Sequence, residues 1–492
     1  MTVLSKNKSI SDSMAILLAN AVTYLITIVT TRLIAGTHSI VEYGLYSQTL
    51  TIVTLLVACF SLGTQSCPSF FLPQFYDEKA KIKIIINLYF LCFAIFFFII
   101  ISSIFFFDNI VAYYRNNDLY SLEMVIALLP GIRIIYALYI GIMVAQGKAT
   151  VSTKVSCIRA LILVIVTFIM CEYKQSIINI LFSTLVVETL FAILTLYVFI
   201  PVKKDIIKQI DYKKVKNLLK FGVPLGMSLL IGTLCSQIDK LLIARLMPIE
   251  SLAVYSNMST ELPLAAISGA FIAVISPYIV KMVNNNQVEN AVEVWGNIIE
   301  IVFIILSFII LFLFVFAEEA IFVLYSELYL SGVDIFRIYI LLEFSRITYF
   351  GLLLRAGGKS HLILLCSFFT LILNLVLDLF FYYILHMGLI GFALATFVST
   401  FGMQFFQLKI SCKIYSLSFR NIFPWDRLAK ITIFILILSL FMIMIKKYTE
   451  SYNIIYNLLI AGGTGLFCFL CYIAVMKNEI IRLYNKTKEI KI

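Results

Sequence analysis

The chain reads as an all-α polytopic membrane protein with about fourteen transmembrane helices. Three observations predict this. Of its 492 residues 62% are hydrophobic and 13% charged, with a mean hydropathy of +1.01. A soluble domain carries roughly 45–50% apolar and about 25% charged residues, so a water-soluble fold cannot hide this much apolar surface. Apolar runs alternate with short polar joints down to the C-terminus, and no stretch is long enough for a separate soluble domain. The basic residues gather in alternate joints, the pattern that orients a membrane protein.

A helix needs about 20 apolar residues to cross the hydrocarbon core. The spans expected on this basis are Met14–Gly36, Gly44–Ser66, Ile84–Phe107, Tyr120–Ala145, Val151–Cys171, Ile177–Ile200 and Leu219–Leu246. They continue with Leu252–Val280, Val294–Ala317, Val333–Leu354, His361–Leu385, Gly388–Leu408, Leu428–Ile445 and Asn453–Met476. The polar N-terminus leads into the first run without a clean small-residue cleavage site, so that run is expected to be a retained helix and not a signal peptide.

Fourteen is even, which puts both termini on one side. With that side taken as the cytoplasm, 27 of the 38 Lys and Arg fall on inner segments and four on outer loops: Arg115, Lys174, Lys446 and Lys447. This bias orients the chain with both termini cytoplasmic. The net charge of +11 is therefore topological and does not point to nucleic acid. The densest basic stretch, Lys203–Lys216, anchors the inner face and is placed to meet anionic lipid headgroups. The ten cysteines are scattered, mostly inside apolar runs, and read as small core residues.

An internal repeat is visible. At an offset of 209 residues Leu33 meets Leu242, Ile34 meets Ile243, Ala35 meets Ala244, Tyr46 meets Tyr255, Ser47 meets Ser256 and Pro68 meets Pro277. At 211, AQGKA around Lys148 meets AGGKS around Lys359. Spans one to six thus resemble spans seven to twelve in the same orientation. Two such bundles are expected to enclose a central cleft and to rock about an axis along the membrane normal. The expected division is a six-helix bundle over 1–201, a basic cytoplasmic linker over 202–218, a second six-helix bundle over 219–417, and two extra helices with a basic tail over 418–492.

Several segments resemble a known family. KFGVPLGMSLLIGTLCSQIDKLLIARLMPIESLAVYS from Lys220 carries a Phe-Gly-x-Pro start, an Ile-Asp pair and a Tyr-Ser after a short loop. EYGLYSQ at Glu42, RAGGKSHLILLCSFFTLILNLVLDLF from Arg355 and MGLIGFALAT at Met387 add to it. Together they are similar to the Wzx-type O-antigen and polysaccharide flippases of the MOP superfamily, over about residues 10 to 415. The resemblance implies a flippase in a bacterial inner membrane. Its substrate would be undecaprenyl-pyrophosphate-linked oligosaccharide, carried from the inner to the outer leaflet by alternating access. It also implies work beside a polysaccharide polymerase and a chain-length regulator, with no cofactor. Many such proteins have twelve spans, so fourteen leaves a wider polysaccharide-transporter or lipid II flippase membership open.

Charged side chains inside a membrane are costly and mark pathways or ion pairs. Candidate contacts for an anionic substrate are Arg133, Arg159, Lys240, Arg346 and Arg32, since arginine grips phosphate with two parallel hydrogen bonds. Candidate polar or coupling acids are Asp239, Glu188, Glu261, Glu300, Glu343 and Asp378. Helix-to-helix pairing is the alternative role for each, most directly for Glu343 and Arg346 at i, i+3. Thr23, Thr27, Thr30 and Thr31 on the first span offer hydroxyls to a sugar, or pack helices. GGKS before His361 lacks the first glycine of a phosphate-binding loop, where Leu353 stands, and it follows a helix instead of a strand. No enzyme is expected. The competing function is a MATE-type multidrug or cation antiporter, which needs a carboxylate deep in a bundle. The first span has none, and membrane-embedded arginines repel a cationic drug.

Overall fold

The computed structural model describes residues 22–23, 25–199, 210–260, 262–449 and 454–489, and all regular structure among them is helical. In chain order the helices are α1 (Leu25–Thr37), α2 (Ile40–Phe60), α3 (Cys67–Phe71), α4 (Glu78–Tyr114), α5 (Glu123–Ala145), α6 (Ala149–Glu172), α7 (Ile177–Phe199) and α8 (Tyr212–Leu246). There follow α9 (Ile249–Met258), α10 (Leu264–Asn284), α11 (Val288–Val315), α12 (Ala317–Leu324), α13 (Val333–Thr348), α14 (Leu352–Ala356), α15 (Ser360–Tyr383), α16 (Gly388–Tyr415), α17 (Trp425–Thr449) and α18 (Ile454–Glu489). Eleven helices among the described residues are long and apolar enough to cross a membrane.

Each of the fourteen expected spans falls on a helix or a broken helix. The first is α1, part of whose expected range lies outside the described residues. The eighth is divided between α9, which ends at Met258, and α10, which Pro263 precedes; a proline there lacks the N–H that would continue the helix. The tenth is broken at Tyr349, which takes a left-handed conformation (φ 46°) and caps α13. The second stops early, at Phe60, because the chain turns through Leu62 (φ 46°) and Gly63 (φ 66°). Part of the expected basic linker, 202–218, also lies outside the described residues.

Local chemistry sets the helix starts. Ser39 caps α2 and forms a capping box with Glu42, Asp77 caps α4, and Asp211 accepts from the amides of Lys213 and Lys214 to cap α8. Each cap satisfies backbone donors that have no partner inside the helix. The starts also recur with the repeat. Ile40 of α2 answers Ile249 of α9, Glu123 of α5 answers Val333 of α13, and Ile177 of α7 answers Gly388 of α16. The 3-10 turn Asn117–Leu122 answers Glu327–Gly332.

Two compact units divide the chain at Ser256. In the first, α5 is the central helix and packs on α2, α4, α6 and α7. The first unit also holds α8, which packs on α2 and α4. The Phe-Gly-x-Pro segment makes this joint. Phe221 stacks on Phe70 with ring centroids 4.2 Å apart. A Cβ on Gly63 would lie 2.3 Å from the Gly222 carbonyl, and one on Gly222 2.5 Å from the Leu62 carbonyl. At the other end of α8, Arg245 donates to the carbonyls of Ala112 and Tyr113 at 3.1 and 3.2 Å, which are free acceptors in the last turn of α4. Ser47 and its repeat counterpart Ser256 meet directly, with a buried 2.5 Å hydrogen bond. In the second unit α11 is the most buried of the long apolar helices and packs on α10, α13, α17 and α18.

Candidate functional site

The first unit encloses a cavity of about 500 Å³ lined from five helices. Thr27, Thr30 and Thr31 of α1, with Thr23 just before it, face the space. Tyr46 and Leu50 come from α2, Arg133 and Tyr136 from α5, Arg159, Leu163 and Thr167 from α6, and Thr184 and Glu188 from α7. Spans of such high hydropathy place charges here only because facing helices supply partners away from lipid.

Glu188 is the focus. Its carboxylate is 2% exposed, and one oxygen takes both arginines: Arg159 at 2.6 Å and Arg133 at 3.7 Å. The second oxygen is buried and makes no hydrogen bond among the described residues. Arg159 is further held by the ring of Tyr136, 4.6 Å below its guanidinium, and Tyr136 shares a 3.0 Å hydrogen bond with Ser156. Arg133 is different. Its Nε reaches Glu188, its side chain is 31% exposed, and its terminal nitrogens make no hydrogen bond among the described residues. The cavity therefore carries two guanidiniums against one carboxylate, one net positive charge, with one arginine anchored and the other open.

The structure brings together Arg133, Arg159 and Glu188 out of the residues singled out from the sequence, together with the four threonines. It disperses the others. Arg32 is half-buried on α1 and does not line the cavity. Lys240, also half-buried, lies on α8 beside Asp239, which is buried and accepts from Tyr255. In the second unit Arg346 pairs with Glu343 one turn away. Asp378 is buried on α15, one turn beyond Asn374, which accepts from Ser399 of α16 at 3.1 Å. Glu261 lies outside the described residues.

Glu300, 1% exposed, binds Arg427 of α17 at 2.6 Å and lies 4.0 Å from Arg482 of α18. Arg427 also donates to Asn297 at 3.0 Å. Sequence reasoning counted both arginines only as inner-face charges. It likewise passed over Tyr136, although its place one turn after Arg133 puts the two on one face of α5. Among the described residues no group of three His, Cys, Asp or Glu could hold a metal ion.

No curated protein matches the chain in sequence. Solved structures do match in fold. A structure described as lipid II flippase MurJ in an inward closed conformation superposes with a TM-score of 0.71 at 17% identity, covering 95% of this chain and 100% of that one. An inward-facing multidrug resistance MATE family transporter of the MOP superfamily gives 0.65 at 14% identity, covering 83% of this chain and 98% of the other. Identities this low establish a shared fold. The model of a family described as polysaccharide biosynthesis protein matches residues 32–334, more than half of the chain. With that match over more than half of its length, the chain belongs to the polysaccharide biosynthesis protein family, and it shares its fold with those two structures.

Proposed function

We propose that this protein is a flippase that carries a lipid-linked oligosaccharide across the bacterial inner membrane by alternating exposure of its cavity. The substrate would be an undecaprenyl-pyrophosphate-linked repeat unit of O-antigen or a similar surface glycan. The observation that carries this reading is the cavity's net positive charge, with Arg133 open and Arg159 anchored against a single Glu188. A guanidinium in a water-filled cavity of low-dielectric walls attracts a phosphate and repels a cationic drug, which sets the multidrug antiporter behind the flippase.

The orientation proposed from the loop charges, with both termini cytoplasmic, lets an exported anion move down an inside-negative potential. That is worth about 2.3 kcal/mol per charge per 100 mV, so no coupled ion is required. Deletion of the gene tests the reading. Loss of surface polymer with build-up of the lipid-linked oligosaccharide in the inner leaflet is the expected result. Polymer loss with the intermediate reaching the outer leaflet would move the protein to a later step, such as polymerisation.

A further inference from the structure

The early end of α2 exposes polar groups where an apolar span was expected. After Phe60 the chain turns through Leu62 and Gly63, makes a 3-10 turn over Thr64–Ser66 and continues into α3. Irregular backbone between membrane spans is tolerated where it is buried in protein or lines a water-filled cavity. Both conditions hold here. Gly63 and Thr64 are buried, while Gln65, Ser66 and Ser69 line a groove of about 610 Å³ with Tyr136, Ala137 and Gly141 of α5. Gly141 allows the approach, because a Cβ there would lie 2.2 Å from the Gln65 carbonyl.

Two features mark the groove as a place for a ligand. It adjoins the cationic cavity, since Tyr136 and Ala137 line both. Its polar side chains also differ from many hydroxyls of the spans. Thr27, Thr54, Thr184 and Thr370 each donate to the carbonyl one turn back, the usual way to hide a hydroxyl in a membrane helix. The side chains of Gln65, Ser66 and Ser69 make no hydrogen bond among the described residues.

We propose that this groove is a saccharide subsite, which takes the sugar next to the phosphate while Arg133 holds the phosphate itself. The inference rests on the flippase reading and adds the part of the substrate that the cationic cavity does not address. A primary amide offers donors and an acceptor, and a hydroxyl offers both, which matches a polyol and not a lipid chain. From Arg133 to Gly141 is eight residues of α5, about 12 Å along the axis. That is beyond the reach of one arginine and within the length of a pyrophosphate carrying its first sugars.

The test uses the full chain in lipid nanodiscs and two probes, polyprenyl pyrophosphate with its oligosaccharide and the same lipid without sugar. Gln65→Ala/Ser66→Ala/Ser69→Ala is expected to bind the glycan-bearing lipid about tenfold more weakly, as for two or three lost hydrogen bonds, and the bare lipid as the wild type does. Ser69→Ala alone, at an exposed position that carries little packing, is expected to weaken the glycan-bearing lipid about threefold. Arg133→Ala should weaken both probes. Wild-type affinity for both probes in the groove variants, or an equal loss for both, overturns the saccharide subsite and leaves the flippase reading intact. A wild-type protein that binds neither probe overturns the flippase reading and the subsite with it.

Discussion

Glu188→Gln separates the charge of the cavity from its shape. The substitution keeps the size of the side chain and an oxygen that can accept from Arg159, but it removes the only carboxylate among the described residues that line the cavity with Arg133 and Arg159. Two unit charges about 4 Å apart attract by ~4 kcal/mol at an effective dielectric constant of about 20. Removing one partner of a buried pair costs ~3–5 kcal/mol. Here the arginines are 31% and 20% exposed to the cavity and glutamine retains a hydrogen bond, so water and the amide offset part of that loss. We expect destabilisation of ~2–3 kcal/mol, read as a lowered midpoint in thermal unfolding of the purified protein. At the same time the cavity gains a full positive charge, so affinity for a polyprenyl phosphate rises, most clearly at low salt, where screening is weak. The signature is a less stable protein that binds the anion more tightly. Unchanged stability together with unchanged affinity would refute the reasoning, since it would mean that Glu188 does not compensate the arginines.

Other expectations follow from the same geometry. Arg133→Ala removes the open guanidinium and should reduce lipid-phosphate affinity by roughly 10–100-fold, as for a charged hydrogen bond of about 1.5–3 kcal/mol, with normal abundance in the membrane by immunoblot. Glu300→Gln leaves Arg427 without its 2.6 Å carboxylate partner and should lower thermal stability by ~2–4 kcal/mol without changing lipid affinity in a binding titration. Gly63→Ala forces a side chain into a left-handed position, which alone costs ~1–2 kcal/mol, and sets its Cβ 2.3 Å from the Gly222 carbonyl. Reduced yield and a lowered unfolding midpoint are the expected readouts. Transport in liposomes should quicken when a potassium–valinomycin gradient makes the inside more negative, and a rate indifferent to the clamp would argue for a coupled ion.

Much of this molecule was legible before any coordinates. Hydropathy located the spans because lipid demands about 20 apolar residues per crossing and satisfies no backbone group itself. The repeat was legible because residues such as Ile34 and Ile243, Tyr46 and Tyr255, and Lys148 and Lys359 recur at nearly one spacing, and the structure places the starts of those helices at matching intervals. Even Ser47 and Ser256, first noticed as counterparts 209 residues apart, turn out to touch.

The site was legible only as a set of residue types. Composition says that a charge within a span must find a partner or water, but hydropathy carries no information on which face of which helix meets which. So Arg346, Lys240 and Arg133 looked alike in sequence, and packing alone separated them. Arg346 pairs with its own neighbour, Lys240 sits on α8 outside the cavity, and Arg133 opens into it. Arg427 and Arg482 looked like loop charges, yet they reach the buried Glu300, because α17 and α18 pack on α11. Gln65 and Ser66 read as the end of a span, and Ser69 as the joint after it, until Leu62 and Gly63 turned the chain. The sequence by itself thus determined that the chain lies in a membrane, where its apolar spans fall and where it repeats, since those depend on local hydropathy and spacing. Only the tertiary structure decided which charges share a cavity, because that depends on contacts between helices far apart in the chain.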